Sequence, residues 1–355
     1  MLGPAVRKTP GAAVDLPERD AFARPSPTAC VREFAFELSF CAALEAAHPE
    51  RLVARQLGAS VHGKRVIDVA CVSPGPAFDE RTAITADTIP PAAIEADVGV
   101  GSARHYREVF PDRSAAWAKG TVEAAVEAGF FETERRKGRL YVRQTARYPD
   151  WFDRVVGVEN KPDLGRPGDL ELQLRRDVSL ALFDEVWLAT TSHVTGAHLN
   201  RIPSAVGVWR FDPETGERET VREATPLDTE GPGVEVLAER PGRTEIRTVS
   251  AAEKHRQRVR LAERAYGKGW RVPAESFPGC ARCEVVEHSD RGPLPGCAWK
   301  GRVVHPEAEC GPDCGGYEAS DPPAADVSGA RETHSPWVAD PEGRKRRQSG
   351  LDRWG

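Results

Sequence analysis

The stretch from Asp153 to Ser192, DRVVGVENKPDLGRPGDLELQLRRDVSLALFDEVWLATTS, decides the fold. Its opening run, Val155–Glu159, is short, β-branched and apolar on successive residues, which predicts a strand buried on both faces. A Pro/Gly loop follows. Helical spacing from about Asp169 to Phe183 then leads into a second buried strand, Val186–Thr190. Apolar strands alternating with a helix argue for a mixed α/β sheet covered on both faces.

Upstream, REFAFELSFCAALEAAH (Arg32–His48) spaces Phe34, Leu38, Cys41 and Leu44 by three and four, predicting an amphipathic helix that Pro49 ends. RLVARQLG is a short strand. KRVIDVACV (Lys64–Val72) is a longer one, interrupted by a single acid, Asp68, and closed by Pro74-Gly75-Pro76. Residues 79–150 change character. Helical patterns near Ala92–Ala96, Gly101–Phe110 and Ser114–Gly129 precede FFETERRKGRLYVRQTARYP, an alternating hairpin with Lys137-Gly138 at its turn. Three helices and a basic hairpin predict a winged-helix-like insertion. Its Arg135, Arg136, Lys137, Arg139 and Arg143 are candidate phosphate contacts, set against the alternative of a solvated hairpin face.

Downstream come a helix near Gly196–Arg201, a strand in AVGVWRFD, polar strands and turns over 214–249, and a charged helix from Ser250. The expected organisation is a leader without fixed structure (1–29), a core formed by 30–78 and 151–249, the insertion (79–150), the charged helix (250–275), a Cys-rich module (276–318) and an unstructured tail (319–355). Apolar residues at 40% and charged residues at 29% suit a soluble globular chain, and a net charge of −5 gives no global attraction for nucleic acid, so any basic surface must be local. No run of about 18 apolar residues suggests a membrane span, and the Pro-rich N-terminus lacks a secretory core, so a cytoplasmic setting is expected. VGVGSA (98–103) has no strand-to-helix phosphate unit around it, and His193 and His198 have no nucleophile paired with them.

Glu159 and Lys161 are two apart on a strand and so share a face, with Asn160 opposite. A carboxylate there helps hold a divalent cation through oxygen, and a lysine orients water or neutralises charge developing on phosphorus. Because one carboxylate holds Mg²⁺ poorly, a second acid is needed from a neighbouring strand. With Asp68 on one strand, Glu159-Asn160-Lys161 on another and a helix carrying Gln173 and Asp177, the chain resembles the PD-(D/E)xK, or restriction-endonuclease-like, nucleases over roughly Arg32–Asp212. The whole chain also resembles a haloarchaeal protein family without an assigned activity. The nuclease resemblance implies Mg²⁺-dependent hydrolysis of DNA. Asp68 and Glu159 become metal ligands and Lys161 the catalytic lysine. Gln173 becomes the helix residue facing the site, as in the RecB-like branch, and Glu37 an auxiliary acid. The chain departs from that pattern in the 91 positions between Asp68 and Glu159, in the rival acid of Pro149-Asp150, and in the missing tyrosine shortly after Gln173. A DNA-binding protein with an inactive core is the alternative.

Five of eight cysteines lie between Cys280 and Cys314. Cys280-x2-Cys283 and Cys310-x3-Cys314 have the form of two knuckles on one zinc ion, and PGCARC and PGCAWK repeat in a way that keeps Cys297 in the set. His305 is a reserve ligand. Few apolar residues accompany them, so metal is expected to supply much of the module's stability. An iron–sulfur cluster, found beside some RecB-like nuclease cores, is the alternative.

Overall fold

The computed structural model describes residues 28–84, 89–288 and 292–339. In chain order the elements are α1 (Thr28–Ala47), β1 (Leu52–Gly58), β2 (Val66–Pro74), α2 (Phe78–Thr82), α3 (Pro91–Ile94), β3 (Arg104–His105), α4 (Tyr106–Val109), α5 (Ala115–Glu127), β4 (Phe131–Arg136), β5 (Arg139–Gln144), β6 (Phe152–Asn160), α6 (Leu170–Leu180), β7 (Glu185–Thr190), α7 (Gly196–Arg201), β8 (Gly207–Phe211), β9 (Arg218–Arg222), β10 (Gly233–Arg240), β11 (Arg243–Val249) and α8 (Ala251–Lys268). The Cys-rich part adds β12 (Cys283–His288), β13 (Gly292–Cys297), β14 (Arg302–Val303) and α9 (Pro306–Glu309), and α10 (Val327–His334) follows. No helix among the described residues is long and apolar enough to cross a membrane.

A mixed sheet in the order β1-β2-β6-β7-β8-β9 organises the chain. β1 pairs antiparallel with β2 and β2 with β6; β6, β7 and β8 pair in parallel, and β9 is antiparallel to β8. β6 is buried on successive residues from Val155 to Asn160 because both faces are covered. Val156 and Val158 join Phe36, Phe40 and Cys41 of α1, while Val155 joins Leu174 of α6 and Leu261 of α8. Gly157 is required by a close approach, since a Cβ there would lie 2.8 Å from the Phe183 ring. The Trp187 and Trp209 rings stack at 3.9 Å across β7 and β8.

Two expectations need correction. α1 is buried nearly all round rather than amphipathic, because Trp270, Val272, Phe277 and Leu294 cover the side turned away from the sheet. The Cys-rich part therefore shares a hydrophobic core with α1 and does not depend on metal alone. Residues 319–339, expected without structure, carry α10. Its Arg331 guanidinium donates to the Gly267 and Tyr266 carbonyls at the end of α8, satisfying acceptors a helix terminus leaves open. The leader falls almost wholly outside the described residues, as does the GRKRRQSG segment of the tail.

The insertion between β2 and β6 has its own core, including Ile89, Val109, Val122, Phe130 and Val142. Its small sheet runs β3-β5-β4. The turn between β4 and β5 falls at Lys137 and Gly138, both with positive φ, as a two-residue I′ hairpin demands.

Candidate functional site

The antiparallel register of β2 and β6 pairs Val69 with Val158, and continuing it sets Asp68 across from Glu159. The Asn160 backbone N–H donates to Asp68 Oδ2 at 2.8 Å, and Gln56 Nε2 approaches Asp68 Oδ1 at 3.3 Å. The same Gln56 amide donates to Glu37 at 2.7 Å, tying α1 to the strand pair. Gln56 adopts φ 54, a left-handed conformation uncommon for a residue with a side chain. Glu37 also accepts from Arg55 at 2.6 Å.

Glu159 is engaged by Arg65, whose Nη2 lies 2.5 Å from Glu159 and 2.7 Å from Asp177. Asp177 stands one turn beyond Gln173 on α6, the i,i+4 spacing that puts both on one face. A cavity of about 750 Å³ is lined by Asp68, Arg65, Gln173 and Asp177, and Glu235 closes one side of it. Glu235 accepts the backbone N–H groups of Val61, His62 and Gly63 at 2.9–3.0 Å, fixing the loop from which Arg65 projects.

Strand spacing predicts Glu159 and Lys161 on one face, but the two have different partners. β6 ends at Asn160, and beyond it Lys161 reaches across to Glu33 of α1 at 2.8 Å. Asp150, the rival acid, is exposed on the connection before Trp151, whereas Asp68 lies on the strand beside Glu159. A second cavity, of about 400 Å³, opens on the α1 side of Asp68 between Glu33, Glu37, Arg55 and Asn160. His305 and Glu307 of the Cys-rich part form its far wall. Both polar atoms of the Asn160 amide, and His305 Nδ1, are buried there without a hydrogen-bond partner among the described residues.

Burial pushes Glu37, Asp68, Glu159 and Asp177 all toward the protonated form, more strongly than Arg55 and Arg65 pull them back. Glu159 is pushed up to about 8, first by burial and then by the charge of Asp68. These acids thus form a desolvated patch in which the protonated carboxyl is favoured.

The same shift couples stability to pH. The folded pKa of Glu159, about 8, exceeds its ordinary 4.5, so between those values the folded state holds a proton that the unfolded chain has released. Its stabilising contribution is complete below pH 4.5 and is lost as pH rises through 8. Glu159→Gln is therefore expected to flatten the fall in urea midpoint between about pH 5 and pH 8.5. An unchanged slope would show that Glu159 titrates normally. Asp68, Asp177 and Glu37 act in the same direction, so some slope remains.

Cys280, Cys283, Cys297, Cys310 and Cys314 are all free thiols. Among the described residues, no group of three or more His, Cys, Asp or Glu side chains stands in an arrangement that could hold a metal ion. On the β4–β5 hairpin, Arg136 pairs with Glu134 and Arg143 with Glu132, so part of the basic charge is neutralised internally. Arg135, Lys137 and Arg139 are exposed. His198, which has no nucleophile beside it in sequence, caps its own helix with Thr195.

Residues 52–319 match DUF5787, a family of unknown function. The chain belongs to DUF5787. The matched span of this DUF5787 protein takes in Asp68, Glu159, Lys161, Gln173 and the five clustered cysteines, and begins after Glu33 and Glu37. No curated protein and no solved structure matches the chain.

Sequence reasoning missed Arg65, Gln56, Glu33 and Glu235. Only Arg65 left a signal, as a cation next to the first apolar residue of the Asp68 strand.

Proposed function

We propose that this DUF5787 protein is a Mg²⁺-dependent deoxyribonuclease with a restriction-endonuclease-like core. The observation that carries the reading is the place of Asp68 and Glu159 on adjacent strands, one step beyond the Val69–Val158 pair, in a buried patch that also holds Glu37 and Asp177 against Arg55 and Arg65. Such a patch favours a bound cation, whether proton or metal. The order helix, three antiparallel strands, helix and parallel strand supports the core assignment once the insertion is set aside.

The residues fit Mg²⁺ chemically. That ion is commonly held by one or two carboxylates together with waters and substrate phosphates, rather than by an all-protein cage. Asp68 and Glu159 would hold it, and the unpartnered Asn160 amide adds a polar group beside Asp68 on the α1 side. When bound, the ion supplies Lewis-acid polarisation and lowers the pKa of water. Lys161 orients the attacking water and neutralises charge at phosphorus; a substrate phosphate competes with Glu33 for its ammonium. Gln173 borders the cavity it shares with Asp68. Glu37 holds Arg55 and Gln56, and so acts as a positioning residue for Asp68.

The β3-α4-α5-β4-β5 order and its β3-β5-β4 sheet support a winged-helix reading of the insertion. Its wing lies along the DNA backbone. Replacing Arg135, Lys137 and Arg139 together by alanine is expected to weaken binding to all duplex sequences alike. The slope of log affinity against log salt should fall by about 0.9 for each phosphate that is no longer neutralised. An unchanged slope, measured by fluorescence anisotropy, would remove the wing from the interface.

A second reading, a DNA-binding protein without catalysis, is favoured by the 2.5 Å ion pair that occupies Glu159 with Arg65. Incubating the chain with supercoiled, branched and single-stranded DNA, in Mg²⁺ or in EDTA, separates the two. Cleavage only in Mg²⁺ supports the nuclease, and retention on DNA without cleavage supports the binding protein.

A further inference from the structure

The cavity of about 400 Å³ on the α1 side of Asp68 falls in the size range of small-molecule sites, and three separate parts of the chain wall it. Glu33 and Glu37 come from α1, Arg55 and Asp68 from the sheet, and His305 from the Cys-rich part. Asn160, the last residue of β6, also lines it. Asn160 is only 7% exposed, yet neither its Oδ1 nor its Nδ2 meets a hydrogen-bond partner among the described residues. Folded chains rarely bury an amide in this way, because nothing then offsets its desolvation. Gln56, on the same wall, holds φ 54, a sparsely populated conformation of the kind that clusters at ligand sites.

A carboxamide with both ends open matches a ligand that offers one donor beside one acceptor. Base edges offer that pair, and adenine is the base that asparagine binds bidentately in nucleic-acid recognition. The rest of the wall narrows the choice. Glu33, Glu37, Asp68 and Glu307 bring four carboxyl groups to the cavity against the one guanidinium of Arg55, which is already engaged by Glu37 and the Trp270 carbonyl. So many acceptor oxygens disfavour a base that carries carbonyl oxygens, and adenine alone has none. The second hydrogen of its amino group finds an acceptor there. His305 Nδ1, also buried without a partner among the described residues, donates or accepts according to its tautomer. Glu33 is 46% exposed, and on that side the Lys161 ammonium meets it at 2.8 Å, a cation within reach of a phosphate.

We infer that this cavity binds an adenine base, with the Asn160 carboxamide on its amino edge and Lys161 toward the phosphate of the same nucleotide. The inference rests on the proposed nuclease site only in taking Lys161 as a phosphate contact. An adenine of DNA and that of a free nucleotide present the same edge, but in duplex DNA the base must leave the stack to enter. Glu159, Asn160 and Lys161 then divide three tasks along one strand end: ion, base and phosphate. Asn160 is thereby a specificity-determining residue.

The test uses the full chain in two arms. Equilibrium dialysis in Mg²⁺ compares dAMP with dTMP, dCMP and dGMP, which have no phosphodiester to cleave. Fluorescence anisotropy in EDTA compares DNA hairpins carrying one unpaired adenine or one unpaired thymine. Adenine is expected to bind tighter by about 10-fold or more, the scale of a bidentate base contact. Preference with dAMP alone makes a free nucleotide the ligand, and preference with the hairpins makes it DNA. Asn160→Leu should abolish the preference and leave the urea midpoint unchanged or higher, since an apolar side chain of similar size removes the unpaired amide. The wild-type comparison decides the matter even if the variant does not fold. Equal binding of all bases in both arms, preference for a base with a carbonyl oxygen, or a preference that survives Asn160→Leu would each overturn the inference. Absence of Mg²⁺-dependent cleavage overturns the nuclease reading and leaves this one standing.

Discussion

Asp68→Asn is expected to slow Mg²⁺-dependent DNA cleavage by at least about 100-fold, the scale on which an electrostatic contribution at a reacting centre is lost. The substitution keeps the volume of the side chain, and an amide oxygen can still accept the Asn160 N–H that now reaches Asp68 at 2.8 Å. What it removes is one negative charge from a patch where burial already disfavours ionised acids. Folding stability should therefore hold or rise, measured as the urea midpoint, while cleavage fails. Cleavage at the wild-type rate would exclude Asp68 as a ligand. A collapse of the urea midpoint would mean that its ionised form is needed to hold the strands.

The second large effect is on stability. Glu263→Ala should cost about 3–5 kcal/mol, the range for removing one partner of a buried ion pair. Glu263 of α8 accepts from Arg81 at 2.7–3.1 Å, from the Tyr148 hydroxyl at 2.8 Å and from the Trp151 indole at 2.5 Å. Arg81 follows β2, and Tyr148 and Trp151 precede β6, so one carboxylate fastens both ends of the insertion. It thereby brings together strands whose acids, Asp68 and Glu159, are far apart in sequence. Without it the Arg81 guanidinium, 2% exposed and stacked over Tyr266 at 3.8 Å, keeps its bond to the Ile84 carbonyl but loses its counter-charge. A loss below about 1 kcal/mol, typical of a surface pair, would contradict this role.

These two carboxylates mark the limit of what the sequence makes legible. β6, α6 and β7 are readable because double-sided burial leaves an uninterrupted apolar run and the helix a 3.6-residue period. The Lys137-Gly138 turn is readable because few residue pairs accept two positive φ values. The placement of Asp68 beside Glu159 follows once both strands are recognised. What escapes is the long-range polar pairing. Arg65 with Glu159 and Asp177, Lys161 with Glu33, and Arg331 with the end of α8 join residues that no local pattern connects. The charged α8 is misleading for the same reason. Its Lys254 and Arg258 look solvated in sequence, yet they are buried because the Asp228 and Leu182 carbonyls accept from them. Among the cysteines, spacing pairs Cys310 with Cys314, while strand register brings Cys297 to Cys283.

Single-turnover cleavage of supercoiled plasmid in Mg²⁺, comparing wild type with Lys161→Ala, tests the nuclease assignment most directly. Lys161 is half-buried and its ionic partner among the described residues is Glu33 on α1, so its removal should leave the fold intact. The wild type is expected to cleave in Mg²⁺ and not in EDTA, and Lys161→Ala to be slower by about 10²–10³-fold. Equal rates for the two proteins, or DNA bound but uncut by the wild type, would contradict it.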